Sequence, residues 1–244
     1  MESGMHLLEA KGLSKYYGKN HVVKSLNVCV NTGEIVGLLG PNGAGKTTTF
    51  YMIVGLIKPD GGKISLDNED MTDLPMYRRS LMGISYLPQE PSIFRKLTVE
   101  DNLKAVLEIR GLSRDEIEYE VDRLLKEFNL VDLSQKHGYK LSGGERRKTE
   151  IARAIAIKPR FILFDEPFTG IDPLAIIELK KMLGYLKDKG LGILITDHNV
   201  RDTLSITDRA YIINNGEILE EGSPDKIVAD SRVKEAFLGE EFKL

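Results

Sequence analysis

The stretch Gly40-Pro41-Asn42-Gly43-Ala44-Gly45-Lys46-Thr47-Thr48 decides the fold. The apolar run Ile35-Val36-Gly37-Leu38-Leu39 before it reads as a buried strand, and Thr49-Phe50-Tyr51-Met52-Ile53-Val54-Gly55-Leu56 after it reads as a helix. Strand, G-x-x-x-x-G-K-[ST] and helix together form a P-loop pattern. Glycines let the backbone wrap a phosphate chain without Cβ clashes, so that Gly40, Pro41, Asn42, Gly43, Ala44 and Gly45 form a cradle. The helix that follows adds unpaired N–H groups and the positive end of its dipole, with Thr48 just before it. Lys46 supplies a charge for the outer phosphates, and the Thr47 hydroxyl is placed to ligate Mg²⁺. By itself the stretch implies binding of a nucleoside triphosphate.

Working outward, the 244 residues suffice for one domain with a sizeable core. Hydrophobic content of 41% and charged content of 29% fit a globular protein, and a net charge of −3 argues against a dedicated nucleic-acid binder. The single cysteine, Cys29, cannot pair within the chain and reads as strand packing. No Cys/His cluster has zinc spacing. No run approaches the roughly 18 apolar residues of a membrane span, and no basic-then-apolar leader opens the chain. A cytoplasmic protein is expected, touching a membrane only through partners.

Short strands are expected at Leu7–Leu13 and His21–Val30, with a turn at Lys15-Tyr16-Tyr17-Gly18. Asp60-Gly61-Gly62 turns into an antiparallel strand, Lys63–Leu66. Pro75 opens a short helix through Leu81, and Ile84–Leu87 is a strand ending at Pro88-Gln89. From Thr98 to about Ile157 the periodicity is helical. Thr98–Asp101 and Ser113–Glu116 have the hydroxyl-then-acid form of helix caps. Leu141–Glu145 reads as a turn, with helix from Arg146 onward. Strands return at Phe161–Phe164, Gly192–Thr196 and the hairpin around Asn214-Asn215-Gly216. Helices between continuous apolar strands imply a mostly parallel sheet covered on both faces.

Phosphoryl transfer needs a metal ligand and a group that orients water. Asp165, after four apolar residues, fits the first, and Glu166 beside it can polarise a water. Thr196-Asp197-His198 also ends a buried strand, where open α/β sheets place their sites, and this favours a γ-phosphate role for His198 over a structural one. Gln89 has no role that its own surroundings dictate. Leu141-Ser142-Gly143-Gly144-Glu145 offers a second anion site at a helix start, which suggests a composite site.

With these motifs in order, the whole chain resembles the nucleotide-binding domains of ABC transporters. Gly40–Thr47 matches Walker A, Gln89 the Q-loop, Leu141–Glu145 the signature motif and Phe161–Glu166 Walker B. Thr169-Gly170-Ile171-Asp172 matches the D-loop, His198 the H-loop, and Tyr17 the aromatic that stacks on adenine. Glu145 stands for the commoner glutamine, and the D-loop reads TGID rather than SALD. The segments Tyr86–Leu97, Ser142–Lys148, Asp165–Phe168, Ile195–Arg201, Thr47–Met52 and the tail Phe237–Leu244 narrow the resemblance to the lipopolysaccharide-export ATPases, with Lys148 in place of a third arginine.

The resemblance implies an α/β fold: a P-loop NTPase (RecA-like) core with an antiparallel β subdomain and an inserted α-helical subdomain. The expected layout is core at about 1–88 and 159–223, helical subdomain at about 89–158, and a helical tail at about 224–244. It implies an ATPase using ATP and Mg²⁺, with Lys46, Gln89, Glu166 and His198 catalytic and Thr47, Gln89 and Asp165 at the metal. It implies a head-to-tail homodimer in which Ser142, Gly143 and Gly144 of one copy reach the nucleotide of the other. The implied partners are two membrane subunits of the LptF/LptG kind, contacted through Phe94 and Arg95, on the cytoplasmic face of the inner membrane. A branched-chain amino-acid importer ATPase shares the general plan. Soluble chromosome or repair ATPases carry long coiled coils or zinc modules between these motifs, whereas the interval from Lys46 to Leu141 is compact.

Overall fold

The computed structural model describes residues 4–239 and Phe242. In chain order the elements are β1 (Leu7–Tyr17), β2 (Asn20–Asn31), β3 (Ile35–Leu39), α1 (Lys46–Val54), β4 (Gly61–Leu66), β5 (Glu69–Asp70), α2 (Met76–Leu81), β6 (Ile84–Leu87), α3 (Val99–Glu108), α4 (Arg114–Glu127), α5 (Gly143–Ala156), β7 (Phe161–Asp165), α6 (Pro173–Asp188), β8 (Gly192–Thr196), α7 (Val200–Leu204), β9 (Arg209–Asn214), β10 (Glu217–Gly222), α8 (Pro224–Ala229) and α9 (Ser231–Val233). A π-helical turn, Lys234–Leu238, follows.

The central sheet runs β10-β9-β3-β8-β7-β6. All its pairings are parallel except that of β10, the edge strand returned by the Asn215-Gly216 hairpin. Strands β3, β7 and β8 are buried along their whole length, as a sheet covered on both faces requires. Their order brings three C-terminal ends side by side: the P-loop after β3, His198 after β8 and Asp165 at the end of β7. A crevice beyond the carboxyl ends of parallel strands is where this class of sheet binds ligands. The second sheet, β2-β1-β4-β5, is antiparallel throughout.

On one face of the central sheet, α3, α4, α5 and α6 pack through Leu103, Leu107, Leu124, Ile151 and Leu183 against Ile162 and Phe164. On the other, α1 lies between the two sheets, with Phe50, Met52 and Ile53 packed among Leu26, Val36, Ile64 and Leu163. Each such fully buried aliphatic side chain contributes about 2 kcal/mol. A smaller cluster joins Ile227 and Val233 of the C-terminal helices to Leu204 and Ile212. Within the expected tail Phe237–Leu244, Phe242 lies under the Arg201 guanidinium, 5.7 Å from ring centre to Cζ. Residues 240, 241, 243 and 244 lie outside the described residues.

Two sequence expectations are corrected locally. Strand β1 does not turn at Lys15 but continues to Tyr17, through register shifts. Tyr16 pairs across the hairpin with His21, their rings stacked with centroids 4.0 Å apart, and such cross-strand pairs extend a hairpin. Helix α5 begins at Gly143, not Arg146, because Ser142 and Glu145 cap it reciprocally. Ser113 and Glu116 form the same box on α4. On α3 the acid is the shorter Asp101. Its N–H donates to the Thr98 hydroxyl at 3.0 Å, and its carboxylate accepts from that hydroxyl at 2.7 Å.

Arg79 on α2 is only 1% exposed. Its Nη1 donates to the Met52 and Ile53 carbonyls at 2.7 and 2.6 Å, its Nε to Leu74 O at 2.8 Å and its Nη2 to Thr72 O at 3.0 Å. The guanidinium thus caps the last turn of α1, where carbonyls lack helical partners and the dipole is negative. Burial draws its pKa down to about 10, so it remains charged at neutral pH. Arg79→Met is expected to lower unfolding stability by about 3 kcal/mol, since it leaves several buried acceptors unpaired. Urea denaturation measures this; an unchanged midpoint would remove Arg79 as the strut of α1.

Candidate active site

The P-loop is built by constraint from both sheets. A Cβ on Gly40 would sit 2.0 Å from the Ile213 carbonyl oxygen, at a φ of +147°. A Cβ on Gly45 would lie 2.8 Å from Val22 O, at a φ of +102°. Only glycine fits where the loop grazes β9 and β2. The hairpin tip pins the loop further: Gly216 N–H donates to Ala44 O at 3.0 Å, and Lys24 N–H to Gly216 O at 2.8 Å.

Lys46 opens α1 and is 5% exposed. Its ammonium donates to Gly40 O at 2.7 Å and Pro41 O at 2.8 Å, so it lies inside the curl of the loop. Burial pulls its pKa down, and the nearby Glu166 carboxylate pushes it back up. Asn42, Gly43 and Thr47 are exposed, and Thr48 is half-buried.

Asp165 is buried, 5% exposed, and burial pushes its pKa up from the ordinary value. Tyr51 and Tyr86 oppose that shift by hydrogen bonding, and the Tyr86 hydroxyl lies 3.3 Å from Oδ2. A buried carboxylate so held suits a cation. The described residues contain no group of three or more His, Cys, Asp or Glu able to hold a metal. Thr47 and Asp165 are the residues that would hold a Mg²⁺, an ion that ordinarily binds nucleotides through one or two protein oxygens plus phosphate oxygens and water.

Glu166 carries a left-handed backbone, φ +44°, uncommon outside glycine, asparagine and aspartate. Its N–H donates to Thr196 O at 2.7 Å, tying β7 to β8 beyond their last ladder pair. Its carboxylate lies 2.6 Å from His198 Nε2. Gln89, Gly143, Arg146, Glu166 and Thr169 line one cleft of about 620 Å³.

The fold thus joins Glu166 to His198, Asp165 to β6, and Gln89 and Gly143 to the Glu166 cleft. Other sequence-predicted residues lie apart. Tyr17 stands exposed on β1 with the Lys15 ammonium 5.9 Å from its ring centre. Ser142 is exposed, bonded to Glu145. Gly144 is half-buried. Phe94 is 48% exposed, with the Arg153 guanidinium 4.8 Å from its ring centre. Arg95 lines a separate recess with Tyr139 and Arg146. The sequence did not mark Tyr86 as a neighbour of Asp165, nor Asp197 as a partner of the Phe168-Thr169 segment. For Tyr86 the signal was present: a phenol on the strand that ends at Gln89.

A family model for ABC transporters matches residues 23–169. The chain belongs to that family and is an ATP-binding cassette, an ATPase that uses ATP with Mg²⁺. Among its relatives, the lipopolysaccharide export system ATP-binding protein LptB of Haemophilus influenzae is 54% identical over 241 residues, covering 98% of this chain and 100% of that protein. LptB of Escherichia coli K12 is 53% identical over 241 residues, with the same coverage of both chains. A solved ATP-binding cassette of an ABC transporter in its ADP conformation superposes with a TM-score of 0.85 at 29% identity, over 97% of this chain and 100% of that one.

Proposed function

We propose that the chain is the ATPase subunit of a lipopolysaccharide exporter, working as a head-to-tail homodimer beneath two LptF/LptG-like membrane subunits. The observation that carries this reading is 53–54% identity to LptB proteins along essentially the entire chain. Among the described residues no helix is long and apolar enough to cross a membrane. The inferred location is the cytoplasmic face of the inner membrane.

In this reading, Lys46 and the N–H groups from Gly40 to Thr48 hold the phosphates, while Tyr17 stacks on the adenine. Thr47, Asp165 and Gln89 would hold the metal, which would supply Lewis-acid chemistry at the terminal phosphate when bound. Glu166 accepts a proton from the attacking water, and its 2.6 Å contact lets His198 fix the carboxylate and reach the γ-phosphate. Ser142, Gly143 and Gly144, at the N-terminus of α5, bind the γ-phosphate held by the other copy. Closure of the dimer on ATP is the working motion, and the tail beyond residue 224 supports the dimer. Phe94 and Arg95, both exposed, pass the motion to the membrane subunits.

The test is affinity capture of the tagged chain from detergent-solubilised membranes of its own cells. Two lipopolysaccharide-export membrane subunits are expected to co-purify. Recovery of permeases that depend on periplasmic binding proteins would sink the export reading and favour an importer.

A further inference from the structure

Asp197 sits just beyond β8 and is 1% exposed, yet the reaction as described gives it no part. Its carboxylate reaches two loops. Oδ2 accepts the Phe168 N–H at 2.7 Å, on the segment that leads away from Glu166. Oδ1 accepts the Asn199 N–H at 2.8 Å, just past His198. Oδ1 also lies 3.4 Å from the Thr169 hydroxyl, and that same hydroxyl lies 3.4 Å from Glu166 Oε2. The other Glu166 oxygen lies 2.6 Å from His198 Nε2. These contacts run in a ring through Glu166, Thr169, Asp197, the Asn199 backbone and His198, with the single Thr169 hydroxyl proton shared between the two carboxylates.

Such a ring answers a need set by the backbone. Glu166 adopts a left-handed conformation at φ +44°, which persists only where the surroundings over-determine it. A water-orienting carboxylate must also be held to a fraction of an ångström, because small misplacements of a catalytic group are costly in rate. A carboxylate is the side chain suited to the hub. It can accept from several donors at once and donates to none. Burial raises the pKa of Asp197, and the N–H bonds from Asn199 and Phe168 oppose this.

We propose that Asp197 is a positioning residue for the hydrolytic reaction, tying the Phe168-Thr169 segment to the His198 loop so that Glu166 is fixed from both sides. Asp197 acts through the Thr169 hydroxyl and the two backbone N–H groups. The inference rests on Glu166 being the water-orienting group, so Glu166→Gln is assayed alongside. Wild-type turnover in Glu166→Gln would overturn that reading rather than this one.

The experiment is steady-state ATPase kinetics on the full-length protein with Asp197→Asn, Thr169→Val and the double variant. Asp197→Asn keeps shape but turns an amide NH₂ toward an N–H donor. It is expected to lower kcat on the order of 10- to 100-fold, the usual cost of losing an outer-sphere support, with KM for ATP within about twofold. Thr169 is exposed, and Thr169→Val removes little more than the bridging hydroxyl, so it keeps the test alive if Asp197→Asn fails to fold. It is expected to lower kcat in the same direction, with KM unmoved. The double variant is expected to be no slower than the slower single variant, because both cut one ring. A merely structural Asp197 would give a destabilised protein whose folded fraction turns over normally. Wild-type kcat in folded Asp197→Asn or in Thr169→Val, or effects that multiply in the double variant, would overturn the proposal.

Discussion

Glu166→Gln binds ATP and fails to turn it over. The expected loss in kcat is on the order of 100- to 10,000-fold, the range for removing a positioned proton acceptor. The amide keeps the volume of the side chain and can still meet the Thr169 hydroxyl, but it cannot take a proton from water. The charge lost matters as well. The Glu166 carboxylate raises the pKa of Asp165 and Asp197, both already raised by burial, so neutralising it eases ionisation of Asp165, the proposed metal ligand. It also removes a negative charge from the place where the γ-phosphate arrives. ATP affinity is therefore expected to hold or rise while hydrolysis stops, and dimers with nucleotide between two copies should accumulate. Size-exclusion chromatography with ATP, paired with phosphate-release kinetics, checks both halves. Wild-type release would exclude Glu166 as the group that orients water.

The second large effect falls on binding. Lys46→Ala is expected to weaken ATP affinity on the order of 100-fold. Its ammonium, now bonded to Gly40 and Pro41 carbonyls, is the single buried cation within the P-loop sequence. Two charge-assisted hydrogen bonds to phosphate oxygens, each worth about 1.5 kcal/mol net, amount to about two powers of ten in affinity. Loss of the lysine also removes its bonds to the Gly40 and Pro41 carbonyls, leaving Pro41 O with the Ala44 N–H alone, which loosens the loop before any ligand arrives. Titration with a fluorescent ATP analogue reads the change directly. If affinity is unaltered and only kcat falls, the lysine acts on the reaction and not on binding.

The sequence was most legible where geometry is dictated by neighbours along the chain. The strand, glycine loop and helix around Lys46 form one local unit, and the hairpin at Asn215-Gly216 needs only its own turn chemistry. Helix starts were readable at Thr98 and Ser113, where a hydroxyl and an acid are correctly spaced, but the same spacing at Ser142 and Glu145 was hidden by the two glycines between them, so the helix start was misjudged at Arg146. Residues whose meaning depends on distant partners were illegible. Arg79 looks like a solvated residue on a short polar helix until the end of α1 is laid over it. Asp197 reads as one more polar residue after a strand, because its partners come from another loop. The turn expected at Tyr16 failed for the same reason, since its stacking partner lies across the hairpin.

The left-handed backbone of Glu166 has an evolutionary corollary. Glycine, or asparagine to a lesser degree, would relax that residue by about 1 kcal/mol. Position 166 is thus one where selection for thermal robustness and selection for turnover point in opposite directions. A library sorted only on solubility or heat resistance should enrich inactive chains bearing small residues there. The same library sorted on growth that requires export should return glutamate alone.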